Sequence, residues 1–235
     1  MVLPVKVFEV RGEVRLDSIE ERLKGFHEEE AYESDEGSKL NLSTDIFDLK
    51  REGELIRGVF SRDYLRRRQY KRRTVEAPAT EEAPFWISGF RGRTFLITSA
   101  PSVARGVKKL LTNHVANKIS EVVYNKVGYI VEARIPSERL QRLHESNPQA
   151  TKLIWFDDID IPGVKKLALA GSGLADTGLY RDYLKHGKIW YVVFESQKRG
   201  IVIGITRNCV VTLFSKSTME DFIGYIVEEV LNLVE

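Results

Sequence analysis

RTFLITS, the stretch Arg93–Ser99, decides the fold because a second apolar stretch that ends in serine, CVVTLFS at Cys209–Ser215, follows 116 residues later. In both places three residues separate the serine from a segment whose apolar residues recur at helical spacing. Those apolar residues are Val103, Val107, Leu110 and Leu111 in the first copy, and Met219, Ile223, Ile226 and Val227 in the second. Each copy therefore predicts a strand that leads into an amphipathic helix.

Further strand patterns precede each copy. Phe85–Phe90 comes before the first copy, and Ile189–Phe194 and Ile201–Ile205 come before the second. Strands joined by short turns predict antiparallel meanders, and a helix with one apolar side packs across such a sheet. The sequence thus predicts an α+β fold of two pseudo-repeated units, each an antiparallel β-meander with a packed helix.

The predicted organisation has three parts. An N-terminal α+β unit covers residues 1–118, a connecting helical segment covers 119–150, and a C-terminal α+β unit covers 151–235. Within the connecting segment, Pro136 and Ser137 open a short helix that Asn147 and Pro148 end.

The N-terminal region shows strand, helix and hairpin patterns in turn. Val5–Val10 alternates apolar and polar residues, which predicts a strand. Ser18 and Glu21 have capping-box spacing, as do Ser217 and Glu220 before the last helix. Residues 45–62 predict a β-hairpin that turns near Arg51–Glu54.

Two segments lack periodicity and are predicted to be irregular. Glu28–Glu36 is acidic and predicts a mobile loop, whose functional alternative is an intramolecular mask for a basic segment. Thr74–Pro84 is rich in Ala, Glu, Thr and Pro and predicts a flexible connection.

The basic segment, Arg66–Arg73, holds six cations in eight residues of a chain whose formal net charge is only +2. Arginine forks bind phosphate oxygens, and an interleaved tyrosine such as Tyr64 or Tyr70 stacks on a base or packs on a sugar. The other interpretation is a solvated strand edge or loop. We favour nucleic-acid contact, with this predicted set of binding residues: Arg66, Arg67, Arg68, Tyr70, Lys71, Arg72, Arg73, Arg91, Arg93, Arg105, Lys108 and Lys109.

Composition narrows the class of protein. Cys209 is the one cysteine, so an internal disulfide is excluded and a reducing compartment is expected. No apolar run has the length of a membrane span and the N-terminus lacks a signal-peptide pattern, so we expect a cytoplasmic protein without a membrane partner.

Acidic residues offer an enzymatic alternative. Asp157, Asp158 and Asp160 follow a strand pattern, and carboxylates so placed hold divalent cations in many nucleases. Pro162 and Gly163 come directly after and favour an acidic turn instead. We therefore expect a non-enzymatic protein with no metal and no cofactor, with a metal-dependent nuclease or a purely structural interaction partner as the alternatives.

Two family resemblances follow from these patterns. Arg207–Ser217 with its following helix resembles the strand-to-helix end of each half of the TATA-box-binding protein, which implies a duplicated fold. Leu55–Arg73, Phe85–Leu111 and Ile189–Glu235, taken in order, resemble the N-terminal half of a split prokaryotic Argonaute, its N and linker regions. The second resemblance implies an accessory subunit that helps bind guide and target strands and partners a larger Argonaute-type subunit.

Overall fold

The computed structural model of the chain describes residues 2–33, 39–100 and 108–235, without the side chains of Tyr70, Arg73 and Pro148. In this part the protein is a mixed α/β structure with antiparallel strand pairing. Its elements are β1 Leu3–Val10, α1 Leu16–Leu23, β2 His27–Glu33, β3 Lys39–Glu52, β4 Leu55–Tyr70, β5 Arg73–Phe90, β6 Arg93–Ser99, α2 Lys109–Tyr124, β7 Ile130–Glu132, α3 Ser137–Glu145, β8 Thr151–Asp157, β9 Leu167–Ala170, α4 Gly178–His186, β10 Lys188–Ser196, β11 Ile201–Thr206, β12 Val210–Leu213 and α5 Met219–Tyr225.

The chain contacts divide the protein into two compact units. The hairpin unit consists of Glu9–Ala100 and Lys108–Val131, and the terminal unit joins the N-terminal strand up to Phe8 to Glu132–Glu235. The division into 1–118, 119–150 and 151–235 stays a prediction.

In the hairpin unit the strands follow the order β2-β3-β4-β5-β6. Apolar residues from one face of these strands, among them Phe60, Phe85 and Leu96, are fully buried. The helix α2 packs against β5 and β6, and α1 packs against α2 and β3. Burial of these side chains from water is the main stabilising contribution of the unit.

In the terminal unit the order is β1-β12-β11-β10-β8-β9. Ile154, Phe156 and Ile203 lie on the buried side, together with Phe222 of α5. The strand patterns at Val5–Val10, Ile189–Phe194 and Ile201–Ile205 are confirmed, because β1, β10 and β11 contain them.

The helices α1, α2 and α5 each correct one prediction about their caps or their buried face. The helix α1 begins at Leu16 after Arg15, so Ser18 is not its cap. The last helix is capped by Thr218, whose hydroxyl accepts from the Asp221 amide at 3.0 Å, and not by Ser217. On α2, Leu110 is 84% exposed instead of forming a buried stripe, while Val103 and Val107 fall outside the described residues.

The acidic loop prediction is wrong for its first part. The strand β2 occupies His27–Glu33 and pairs along its length with β3. Its glutamates are exposed at the edge of the sheet, where charge discourages pairing with other chains. Low hydrophobicity here reflects an edge strand and not a loop. The remainder, up to Glu36, lies outside the described residues.

The flexible connection at Thr74–Pro84 is also wrong. The strand β5 runs through it without interruption and pairs with β4 from Leu55↔Ser88 to Tyr70↔Arg73. Its partner β6 reaches only to the Phe85↔Thr98 pair, so Pro78 and Pro84 lie beyond the part of β5 that β6 pairs with. Proline is tolerated on a strand edge because its missing N–H deprives no neighbour of a hydrogen bond.

No helix in the described ranges is both long and apolar enough to cross a lipid bilayer.

Candidate nucleic-acid interface

The basic segment forms one strand and the tip of a long two-stranded hairpin. Registered pairing of β3 with β4 ends at Thr44↔Arg62, and that of β6 with β5 ends at Phe85↔Thr98. Beyond these points, Asp63–Tyr70 pairs with Arg73–Thr80 over eight residue pairs. We call these two segments and the turn between them the ribbon. At about 3.4 Å per residue the paired part is about 27 Å long.

Strand alternation sorts the arginines onto two faces of the ribbon. Side chains of successive residues point to opposite sides of a strand, and paired residues share a side. Tyr64, Arg66 and Arg68 therefore share one side, which we call the basic face. Arg67 lies on the opposite side, which we call the outer face.

In the described part of the chain, the basic face beyond Tyr64 carries charge without compensating carboxylates. Arg66 is paired with Ala77 and Arg68 with Val75, and both arginines are exposed. Among the described residues neither forms an ion pair. These two guanidinium groups, two residues and about 7 Å apart along the strand, are open to a ligand.

The outer face is neutralised. The Arg67 Nε donates to Glu76 Oε1 at 2.6 Å, and Tyr32 of β2 donates to the other oxygen of Glu76 at 2.9 Å. These hydrogen bonds, that of Arg67 first, hold the pKa of Glu76 below its usual value. Asp63 on the same face accepts from Thr80 at 2.7 Å. The outer face is therefore structural.

A small charged network forms the root of the basic face. Arg62 and Lys108 both contact Glu81, at 3.1 and 3.3 Å. Burial raises the pKa of Glu81, but hydrogen bonds from the two cations outweigh burial and hold it below its usual value. His114 of α2 lies nearby, and its pKa is lowered by burial and by the charges of Arg62 and Lys118. The imidazole is thus neutral near pH 7 and adds no positive charge to the root.

The ribbon tip is conformationally strained. Lys71 and Arg72 form the two-residue turn, with φ of +47° and +67°. Positive φ at both central residues is the type I′ pattern, in which Asn-Gly is preferred. A residue with a Cβ costs about 1 kcal/mol or more in this conformation, so two cations occupy positions that stability alone would give to other residues.

Replacing Lys71 by asparagine together with Arg72 by glycine should raise the free energy of unfolding by about 1 kcal/mol, because the left-handed conformation is then tolerated. Urea denaturation measures the change. Lys71→Ala with Arg72→Ala removes the same charges and keeps the strain, so it should leave stability unchanged. A double alanine variant as stabilised as the Asn-Gly variant would show that charge repulsion and not the backbone is responsible.

The other predicted binding residues are distributed unevenly. Lys108 joins the root, and Lys109 follows it as the first residue of α2. Arg91 and Arg93 lie at the opposite end of β5, up to about 60 Å along the strand from Arg73. There Arg93 pairs with Glu9 at 2.7 Å. The structure therefore does not bring these two arginines to the ribbon.

Arg105 falls outside the described residues, as do the side chains of Tyr70 and Arg73. Arg62 was missed by sequence reasoning, although it has the same strand parity as Arg66 and Arg68 and extends their row to the root. That alternation was available in the sequence once the segment was recognised as a strand.

The three aspartates of the alternative nuclease site contact arginine or histidine side chains of the terminal unit. Arg207 contacts Asp157 at 2.6 Å and Asp158 at 3.3 Å, and His186 contacts Asp160 at 2.8 Å. Burial raises the pKa of Asp157. Within residues 2–33, 39–100 and 108–235, no three His, Cys, Asp or Glu side chains converge as metal ligands would.

The sequence matches no protein-family model, and no curated protein matches it.

Proposed function

We propose that this chain is a nucleic-acid-binding module that holds a sugar-phosphate backbone against the basic face of its ribbon. One observation supports this most directly: Arg66 and Arg68 stand side by side over Ala77 and Val75, exposed, while the intervening Arg67 is neutralised by Glu76. Arginines placed only for solubility have no need of such sorting. Phosphate oxygens are the ligands that adjacent guanidinium groups bind with charge-assisted hydrogen bonds.

The alternatives have weaker support. A metal-dependent nuclease would use carboxylates that are committed to Arg207 and His186 in this fold. A purely structural partner would have no use for the strained cationic turn at Lys71 and Arg72. Binding without catalysis fits the arrangement better than either alternative. We also propose that the protein acts in the cytoplasm.

Replacing Arg66 and Arg68 together by alanine should reduce the dependence of binding on salt. For duplex DNA, each phosphate that a protein neutralises adds about 0.9 to the slope of log affinity against log salt, so the slope of the double variant should be smaller by about 1.8. Fluorescence anisotropy at several salt concentrations measures the slope. Lys50→Ala with Arg57→Ala removes two exposed cations that are paired across β3 and β4, away from the ribbon, and serves as the control. Equal slopes for all three proteins would refute the assignment of phosphate contacts to the basic face.

The accessory-subunit role is part of the same proposal. The resemblance to the N-terminal half of a split Argonaute supports it, since that region binds guide and target strands without a catalytic signature. Co-purification of the native protein with a larger partner would support the accessory-subunit role. Purification without such a partner would refute this role and leave the proposed nucleic-acid binding intact.

We also propose that the two units contain pseudo-repeated elements. In the hairpin unit β6 leads toward α2, and in the terminal unit β12 leads into α5. This common succession of strand and helix supports the internal repeat expected from the sequence.

A further inference from the structure

We infer that the ligand of the ribbon is B-form duplex DNA, which the ribbon enters through the major groove. This inference rests on the proposed function and deepens it by naming the substrate class. Its basis is the shape of the ribbon: a two-stranded element whose tip and basic face carry cations.

The thickness of the ribbon selects among grooves. Sheets with side chains on both faces occupy about 10 Å, the spacing at which they stack. The major groove of B-form DNA is about 12 Å wide and admits a two-stranded ribbon, whereas the minor groove is about 6 Å wide. The ribbon therefore fits the major groove and not the minor groove.

The length of the tip matches the depth of that groove. Among the described residues of β2 and β3, Ser43 contacts the ribbon at Asp63 and Tyr32 contacts it at Glu76. Beyond Glu76 come three residue pairs, from Arg68↔Val75 to Tyr70↔Arg73, and then the turn. Three pairs span about 10 Å, which exceeds the groove depth of about 8.5 Å. The part of the ribbon beyond Glu76 is thus long enough to reach the floor of the groove.

Charge is placed where this entry requires it. Arg72 at the turn would face the base edges, where arginine donates to the O6 and N7 acceptors of guanine. Arg66 and Arg68, farther from the tip, would meet the phosphates at the groove wall.

Other nucleic acids fit less well. A-form RNA has a deep, narrow major groove that side chains cannot read. Proteins bind single strands on rows of aromatic side chains, and the aromatic residues within 63–80 are Tyr64 and Tyr70 alone. Of these two tyrosines, Tyr64 is the one whose side chain the structure describes. It lies at the root, where the Arg62 guanidinium is 6.0 Å from its ring centre.

The test compares the affinity of the full-length protein for three probes of one sequence: a DNA duplex, an RNA duplex and a DNA single strand. We expect the DNA duplex to bind at least about tenfold more tightly than the other two. Lys71→Asn with Arg72→Gly keeps a favourable turn and removes both tip cations, so it should weaken DNA-duplex binding about tenfold and bring the three affinities together. Wild-type protein should also protect guanine N7, in the major groove, from methylation by dimethyl sulfate.

The inference is overturned if the RNA duplex or the single strand binds as tightly as the DNA duplex. It is also overturned if protection appears at adenine N3, in the minor groove, instead of guanine N7. Either result leaves the proposed nucleic-acid binding standing. If none of the three probes binds at low salt, the proposed function is refuted as well.

Discussion

Replacing Arg66 and Arg68 together by glutamate should lower the affinity for nucleic acid by about 100-fold or more at low salt. Under the proposed function each arginine would contribute charge-assisted hydrogen bonds to phosphate, worth about 1.5 kcal/mol or more apiece. Removing both arginines therefore corresponds to about 3 kcal/mol, which is about a factor of 100 in affinity. Repulsion between the new carboxylates and the phosphates weakens binding further.

The variant should fold normally, because both side chains are exposed and their cross-strand neighbours, Val75 and Ala77, are uncharged. Circular dichroism checks the fold, and anisotropy with DNA and RNA probes measures affinity. Lys50→Glu with Arg57→Glu changes the net charge by the same amount on exposed residues away from the ribbon. An equal decrease in affinity for the two variants would mean that overall charge drives binding. Full retention of affinity by the Arg66 and Arg68 variant would contradict the proposed interface.

Replacing Phe60 by alanine should lower the free energy of unfolding by about 3–5 kcal/mol, the usual decrease for a buried phenylalanine. Phe60 is fully buried and lies between Ile46 of β3 and Ala83 of β5. Its ring also contacts His114 of α2 edge-on, with 5.7 Å between ring centres. The side chain thus joins the sheet to the helix directly below the root of the ribbon.

Chemical denaturation measures this decrease. Val75→Ala removes an apolar side chain that is 44% exposed on the same hairpin, so it should change stability by no more than about 0.5 kcal/mol. A decrease below about 1 kcal/mol for Phe60→Ala would show that the hairpin is not anchored through this residue.

The strands with regular apolar patterns were predictable from the sequence, as Ile189–Phe194 and Ile201–Ile205 illustrate. Both are short, nearly continuous apolar runs rich in β-branched and aromatic residues, the pattern typical of a buried strand. The strands β2 and the outer part of β5 were not predictable in this way. Their side chains are largely exposed on both faces, so no periodic burial marks them, and their partners in the sheet define them as strands.

Helix ends were predictable only approximately. Ser217 and Thr218 are both capping residue types, serine the more common one, and the backbone conformation decides which of the two accepts the hydrogen bond from the first turn. For the candidate site, the density of cations at Arg66–Arg73 was evident from the sequence. Its separation from Arg91 and Arg93 was not, because it depends on β5 being one uninterrupted strand.

The sequence by itself determined that positive charge is concentrated in one short segment and that apolar strands and helices alternate around it, since composition and periodicity are local properties. Only the tertiary structure decided which of those charges act together. Pairing of β4 with β5 places Glu76 opposite Arg67 and uncharged residues opposite Arg66 and Arg68, so one face of the ribbon is neutralised and the other is open. Cross-strand neighbours are distant in the chain, and the register of the hairpin brings them together.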